Sequence, residues 1–216
     1  DAAKLVGVTR QRIHKAEKDG LLPPPDMKND SRGASRRMGY TISQISQMRE
    51  LFKTSPGRDP ENDHPMVICI NGHKGGSWKT TTAVHLSQWC SIQGYKALLI
   101  DMDPQATASL YHGYVAEKNT FEEDTALPFL LGEKGDLSYC IKPTTWPSLD
   151  IIPSCLGMHR IESELVAKYD KGELEYEPHI MLRMGIESVY DAYDIIIVDG
   201  SPNIGIGTIN MVCAAD

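Results

Sequence analysis

The sequence predicts an α/β fold, a mostly parallel sheet with helices on both faces, preceded by a small all-α unit. Three observations carry this. After residue 65, short apolar runs alternate with helical patterns, which is how parallel strands covered on both faces read. The first run, Met66–Asn71, enters a glycine pair bracketed by lysines and then a helix start, the strand, turn and helix N-terminus of a phosphate cradle. Charge also divides the chain. Residues 1–58 hold 12 Lys/Arg against 6 Asp/Glu, and residues 59–216 hold 10 against 23, which suggests a basic nucleic-acid module joined to an acidic body.

The totals fit that picture. A chain of 216 residues with 41% hydrophobic residues can bury a core, and can hold a small domain beside a larger one. The apolar run around Ile195 is too short to span a membrane, and no signal peptide opens the chain. Cys69, Cys90, Cys140, Cys155 and Cys213 are scattered without a C-x-x-C pair. They read as reduced thiols in a cytosol, not as a disulfide or zinc framework. With Asp1 first and Asp216 last, the chain reads as an internal fragment, its second domain incomplete at the C-terminus.

Residues 2–19 read as two short helices. Ala3, Gly7 and Ile13 have the spacing of the small residue, turn glycine and buried aliphatic of a helix-turn-helix. Thr9 suits the N-cap of the second helix and Gly20 its stop. That helix carries Arg10, Arg12, His14, Lys15 and Lys18, with Ile13 and Ala16 turned inward. The run Leu21–Pro25 breaks it, residues 28–40 form a basic loop able to serve as a wing, and a further helix begins near Thr41 with Ile42, Ile45, Met48 and Phe52 at helical spacing. Residues 54–65 contain three prolines and several short polar residues and read as a linker. The expected organisation is thus a DNA-binding domain over 1–53, a linker over 54–65 and a second domain over 66–216. In that domain Lys79–Gln93 reads as a helix stopped by Gly94, with strands at Ala97–Asp101, Leu149–Ile152 and Asp194–Val198 and helices near 157–169 and 178–191. Residues 104–148 are the least legible.

The N-terminal segment resembles the MerR-like winged helix-turn-helix, through Gly7-Val8-Thr9, Ile13, Glu17 and Gly20-Leu21-Leu22-Pro23. The resemblance implies DNA binding, with Arg10, Arg12 and Lys15 on the reading helix, Arg10 and Arg12 as groove contacts, and Arg36 and Arg37 as backbone contacts in the wing.

Three motifs of the second domain act as a set. The strict P-loop pattern G-x-x-x-x-G-K-S/T fails, because His73 and Trp78 stand where it demands glycine. What matches is Lys74-Gly75-Gly76-x-x-Lys79-Thr80. In a phosphate cradle Lys79 contacts the β- and γ-phosphates, Thr80 ligates Mg²⁺, and the loop from Lys74 through Gly75, Gly76, Ser77 and Trp78 to Thr81 wraps the nucleotide. Next, Leu98–Asp101 ends in Asp101-Met102-Asp103-Pro104-Gln105, so two carboxylates emerge at the carboxyl edge of the sheet. Last, Tyr193–Val198 delivers Asp199, a carboxylate placed to hold Mg²⁺ directly or through water.

This set resembles the deviant P-loop NTPases of the ParA/MinD group. Their signature is the extra lysine, here Lys74, with "D-x-D-P-Q" at Asp101–Gln105 and a continuation at Pro202-Asn203-x-Gly205 and Thr208-x-Asn210. The order of helix-turn-helix, linker and ATPase resembles the larger ParA partition proteins of plasmids and prophages. The resemblance implies Mg²⁺-dependent ATP hydrolysis with ATP/ADP as ligands and Lys74, Lys79 and Asp103 as catalytic residues. Lys74 would reach across an ATP-sandwiched homodimer, Asp103 would position the water, and Thr80, Asp101 and Asp199 would surround the metal. It also implies operator and nonspecific DNA binding, a ParB-like partner, repression of its own operon and a cytoplasmic, nucleoid-associated location without membrane attachment. Alternatives stay open: a MinD-like membrane-surface positioning ATPase, a redox relative of the nitrogenase iron protein, for which Cys140 and Cys155 lack paired cysteines, and a DNA-binding regulator with weak or no ATPase activity. Trp78, bulky where most relatives are small, points to slower turnover, and Ser201 replaces a common proline.

Overall fold

The computed structural model describes residues 1–29, 34–59, 62–72, 74–76 and 78–216. Four residues of the expected wing (30–33), two of the linker (60–61), and His73 and Ser77 of the glycine-rich turn lie outside the described residues.

The N-terminal unit begins with α1 (Ala2–Val6), closed by Gly7 at φ 75°, a left-handed conformation that glycine adopts without a Cβ penalty. In α2 (Arg10–Lys18) the Thr9 side chain accepts the Arg12 amide. Strands β1 (Met27–Asn29) and β2 (Ser35–Arg37) follow and pair antiparallel, with Lys28 opposite Arg36. Helix α3 (Ile42–Phe52) opens on a capping box in which Thr41 and Gln44 exchange side-chain-to-backbone bonds. Ala3, Val6, Ile13, Ala16, Leu22, Ile45 and Met48 form the unit's own buried cluster. The unit is therefore not all-α as expected. Every ribbon residue is exposed, so no alternation of apolar and polar side chains announced the strands.

The second part is a five-stranded sheet. In chain order its elements are β3 (Met66–Ile70), α4 (Lys79–Gln93), β4 (Ala97–Asp101), α5 (Thr107–Tyr111), α6 (Leu127–Leu130), β5 (Lys142–Pro143), β6 (Leu149–Ile152), α7 (Ile161–Asp170), α8 (Met181–Glu187), β7 (Ile195–Asp199) and α9 (Ile206–Ala214). The strand order is β3-β7-β4-β6-β5. All neighbours are parallel except the short edge strand β5, antiparallel to β6. Alternate strand residues face opposite sides. Leu99, Ile151 and Ile197 pack with Ala83, Val84 and Cys90 of α4. Leu98, Ile100, Ile152, Ile196 and Val198 pack on the other face with residues of α6 to α9 such as Leu130, Leu165, Leu182 and Met211.

Two features position the site. Strands β3, β4 and β7 are in register at their carboxyl ends, where Asp199 pairs with both Ile70 and Asp101. The linker, meanwhile, is docked by Arg58. Its amide donates to Asp194, and its guanidinium donates to the carbonyls of Tyr193 (2.9 Å), Asp63 (2.6 Å) and Tyr190 (2.6 Å).

Candidate active site

Strand β3 delivers the chain to a turn whose geometry explains its composition. Gly76 sits at φ 70° and Trp78 at φ 64°, both left-handed. Trp78 occupies the position where the strict pattern requires glycine, and the backbone there is the reason: an L-residue in that conformation costs roughly 1–2 kcal/mol. The indole turns outward and is 74% exposed. No side chain caps the first turn of α4, which leaves that turn's amides, at the positive end of the helix dipole, available to an anion. A Cβ added at Gly75 or Gly76 would meet nothing within 4 Å, so the space above the pair is open. Gly75, Gly76, Trp78, Lys79, Thr80, Thr81, Asp103 and Pro202 line one cleft of about 220 Å³. Lys79 is buried, with Nζ 3.4 Å from the Lys74 carbonyl oxygen, while Lys74 itself is exposed.

The three expected carboxylates differ in kind. Asp199 is fully buried, and neither carboxylate oxygen has a hydrogen-bond partner. Burial, and then the charge of Asp101, push its pKa up to about 7. The Thr80 hydroxyl and the Lys79 ammonium lie close enough to pull it the other way, although the hydroxyl does not meet hydrogen-bond geometry with either oxygen. A buried, unpartnered carboxylate is costly, and a cation is what would relieve it. Asp103 lines the cleft, and its Oδ1 accepts the Gln105 amide at 2.9 Å.

Asp101, expected near the metal, is in register beside Asp199 and spends both carboxylate oxygens on the protein. It is fully buried; Oδ1 accepts the Asp103 amide, and Oδ2 accepts the Ser109 amide (2.9 Å) and hydroxyl (2.6 Å). Burial raises its pKa to about 6 against those bonds. Its role is to fix the turn that carries Asp103. Ser109 and Ser154 were not foreseen in this role. Ser109 also accepts the Ser154 amide, and the Ser154 hydroxyl holds the Asp103 carbonyl, tying the ends of β4 and β6 together. A serine eight residues beyond an aspartate follows no chemical spacing rule. Among the described residues no cluster of three His, Cys, Asp or Glu could by itself hold a metal.

The cations expected to meet DNA are on the surface in differing company. Arg10 pairs with Asp1, the Arg12 guanidinium lies 4.9 Å from the Phe52 ring centre, and Lys15 and Arg36 are exposed. Arg37, expected as a backbone contact, is drawn into an internal network with Glu17, Tyr40 and His14. Burial opposes Glu17 ionisation, but the hydrogen bonds from Tyr40, Arg37 and His14 outweigh it and hold the carboxyl below its usual range. Arg37 therefore braces β2 against α2.

The profile of the AAA domain family matches residues 65–216. The Protein SopA of Escherichia coli is 54% identical over 217 residues, covering 100% of this chain and 55% of that protein. The chain thus spans about half the length of such relatives. A plasmid partition protein from Borrelia burgdorferi, solved with AMPPNP, superposes with a TM-score of 0.57 at 28% identity, over 71% of this chain and 61% of that one. A cobyrinic acid a,c-diamide synthase from Mycobacterium smegmatis, solved with ADP and magnesium, gives 0.61 at 24% identity over 70% and 56%, a likeness of fold.

Proposed function

The chain belongs to the ParA-type partition ATPases of the AAA domain family, and on that premise we propose that it is part of a DNA-partition ATPase. In this reading it dimerises on ATP, binds DNA and represses its own operon. The observation that carries the ATPase is the buried, unpartnered Asp199 carboxylate close to Thr80 and Lys79, two residues that line the cleft.

Lys79 and the first-turn amides of α4 bind the β- and γ-phosphates, and the open glycine pair lets the main chain wrap them. Thr80 and Asp199 hold Mg²⁺, Asp199 directly or through water. The absence, among the described residues, of a ready-made cage of three acidic or histidine ligands suits an ion bound mainly by phosphate and water. When bound, Mg²⁺ neutralises charge on the phosphate oxygens. Asp103, held at the cleft wall by the Asp101 and Ser154 bonds, orients the attacking water. Lys74, exposed at the turn, reaches the phosphates of a second copy.

The DNA reading rests on the exposed cations of α2 and on the ribbon. Lys28 and Arg36 stand directly opposite each other across β1 and β2, a like-charge pair that is unfavourable unless an anion bridges it, as a phosphate backbone would. Operator and nonspecific DNA, a ParB-like protein and a second copy are the partners of this reading, and a nucleoid-associated cytoplasmic location goes with it. No helix among the described residues is long and apolar enough to cross a membrane. One observation favours a second reading, a DNA-binding regulator with weak or no ATPase activity: the bulky, exposed Trp78 is among the residues that line the cleft.

ATP hydrolysis by the full-length protein, with and without nonspecific DNA and the ParB-like protein, separates the two. Weak basal turnover stimulated by both supports the first reading; turnover that stays weak under every condition, or none, supports the second. In the same assay Asp103→Ala should bind ATP without hydrolysing it. Normal turnover by that variant would remove Asp103 from the water-positioning role.

A further inference from the structure

The cradle and the N-terminal unit lie at opposite ends of one helix. Helix α4 starts at Lys79 and Thr80 and runs without proline or glycine to Gln93, about 22 Å at 1.5 Å per residue. It is seated on the sheet along Ala83, Val84 and Cys90. At its far end α1 and α3 pack against it, and between them sits Arg49.

Arg49, in the last turn of α3, is only 5% exposed. Its guanidinium hydrogen bonds all go to main-chain carbonyls: Nη2 donates to Leu5 (2.6 Å) and Ile92 (3.3 Å), and Nη1 donates to Thr54 (3.2 Å). Leu5 lies near the C-terminus of α1 and Ile92 near that of α4, so one cation joins the negative ends of two helix dipoles. Its Nε is buried without a partner. The helix α4 makes room for it: a Cβ at Gly94 would fall 2.6 Å from the Arg49 Cδ. A buried guanidinium bonded to three carbonyls from three segments fixes their spacing, because moving any one away leaves a further buried donor unpaired.

Resting on the phosphate-cradle reading, we propose that Arg49 is a positioning residue that acts through α4, clasping the far end of the cradle helix to the N-terminal unit so that nucleotide and DNA affect each other's binding. A shift of α4 when phosphate engages its first turn is carried along a continuous helix. The clasp passes it to α1 and α3, against which the DNA-facing α2 packs through Ala3, Ile13, Ala16 and Met48.

The test is a linkage measurement on the full-length protein. DNA affinity is measured with ATPγS and without nucleotide, and ATPγS affinity is measured without DNA. The unaltered protein should show a change in DNA affinity of about fivefold or more with ATPγS, the scale of ordinary allosteric coupling. In Arg49→Lys, which keeps charge and most of the volume but loses the fork, the ratio should fall to below about twofold, with each separate affinity retained. Gly94→Ala, which crowds the Arg49 stem, should do the same, and Arg49→Met should match whichever of them folds, as judged by circular dichroism. A folded variant that keeps the full ratio overturns the proposal, whatever its melting temperature; a merely structural arginine would lower Tm and leave the ratio alone. If the unaltered protein shows no ratio at all, the clasp is overturned too. Its ATP hydrolysis then reports separately whether the cradle reading stands.

Discussion

Arg49 apart, the N-terminal unit and the sheet domain handle charge in opposite ways. In the unit, a single small cluster of seven buried residues holds three helices together. Its cations Arg10, Lys15 and Arg36 lie in solvent. In the sheet domain two apolar layers enclose the strands, and Asp101, Asp199 and Lys79 are buried at the strand ends. Solvated cations suit a long polyanion whose counterions they release. Desolvated charges held in fixed positions suit chemistry at one phosphate group, where low dielectric strengthens each interaction. The first region should therefore be sensitive to salt and tolerant of single substitutions, and the second sensitive to single substitutions and to pH.

The largest effect belongs to the sheet domain. Lys79→Ala should weaken ATP binding by roughly 100-fold or more, since it removes a buried, charge-assisted phosphate contact. Nucleotide-free DNA binding should stay within about twofold, being a property of distant exposed cations. Isothermal titration with ATP and a DNA-binding titration check both halves. If DNA binding without nucleotide fell in parallel, the division of labour would be broken.

Next comes the cost of the buried acids. Burial pushes the folded pKa of Asp199 up to about 7 and that of Asp101 up to about 6, both above the ordinary carboxyl range. The folded state therefore binds more protons than the unfolded one across about pH 4 to 7, and stability falls as pH rises through that window. Asp199→Asn removes one of these charges. At pH 8 the nucleotide-free variant should be more stable by on the order of 3 kcal/mol, with the gain vanishing near pH 4. It should also lose Mg²⁺-dependent turnover. Thermal melts across pH read the first effect, and unchanged stability at pH 8 would mean that Asp199 is not stressed in the fold.

A smaller effect is expected on the ribbon. Replacing Lys28 and Arg36 by alanine should lower DNA affinity about tenfold at moderate salt and reduce the salt slope by about two. ATP hydrolysis without DNA should not change. Fluorescence anisotropy over a salt series measures this, and an unchanged slope would move the phosphate contacts elsewhere.

Much of this contrast was legible in the sequence. Helix α4 runs from Lys79 to Gln93 with Gly94 as its left-handed stop, because a helical pattern meets a residue free to turn. Strands β4 and β6 have the bounds that their apolar runs predict, and β7 is displaced by one residue. The N-cap Thr9 is in place, and the helix expected from near Thr41 starts at Ile42. What escaped were features fixed by tertiary context. The ribbon has no apolar alternation. Residues 104–148 are built from the short helices α5 and α6, turns and the two-residue strand β5, too short for any period to register. At the site, an aspartate that is merely hydrogen-bonded and one that is left unpartnered look the same in one-letter code. Whether Asp101 or Asp199 was the open one depended on Ser109, eight residues from the first. Arg49 was hidden for the same reason, since an arginine on a helix reads as solvated until its carbonyl partners are known.

Trp78 tests the smallest difference within the sheet domain, the one between tolerated strain and required chemistry. Its left-handed backbone disfavours any side chain, and its indole is largely exposed, so little packing offsets that strain. Trp78→Gly should relieve the strain and stabilise the protein by about 1 kcal/mol, less the extra entropy that glycine adds to the unfolded chain. Because Trp78 lines the cleft, removing its side chain should also raise ATP turnover, while Trp78→Phe, bulky and equally strained, should not. Melting temperature and hydrolysis rate, read together, separate the two contributions. A stability gain without faster turnover would make Trp78 a strained bystander. Faster turnover with no stability gain would make its side chain a brake that acts from solvent.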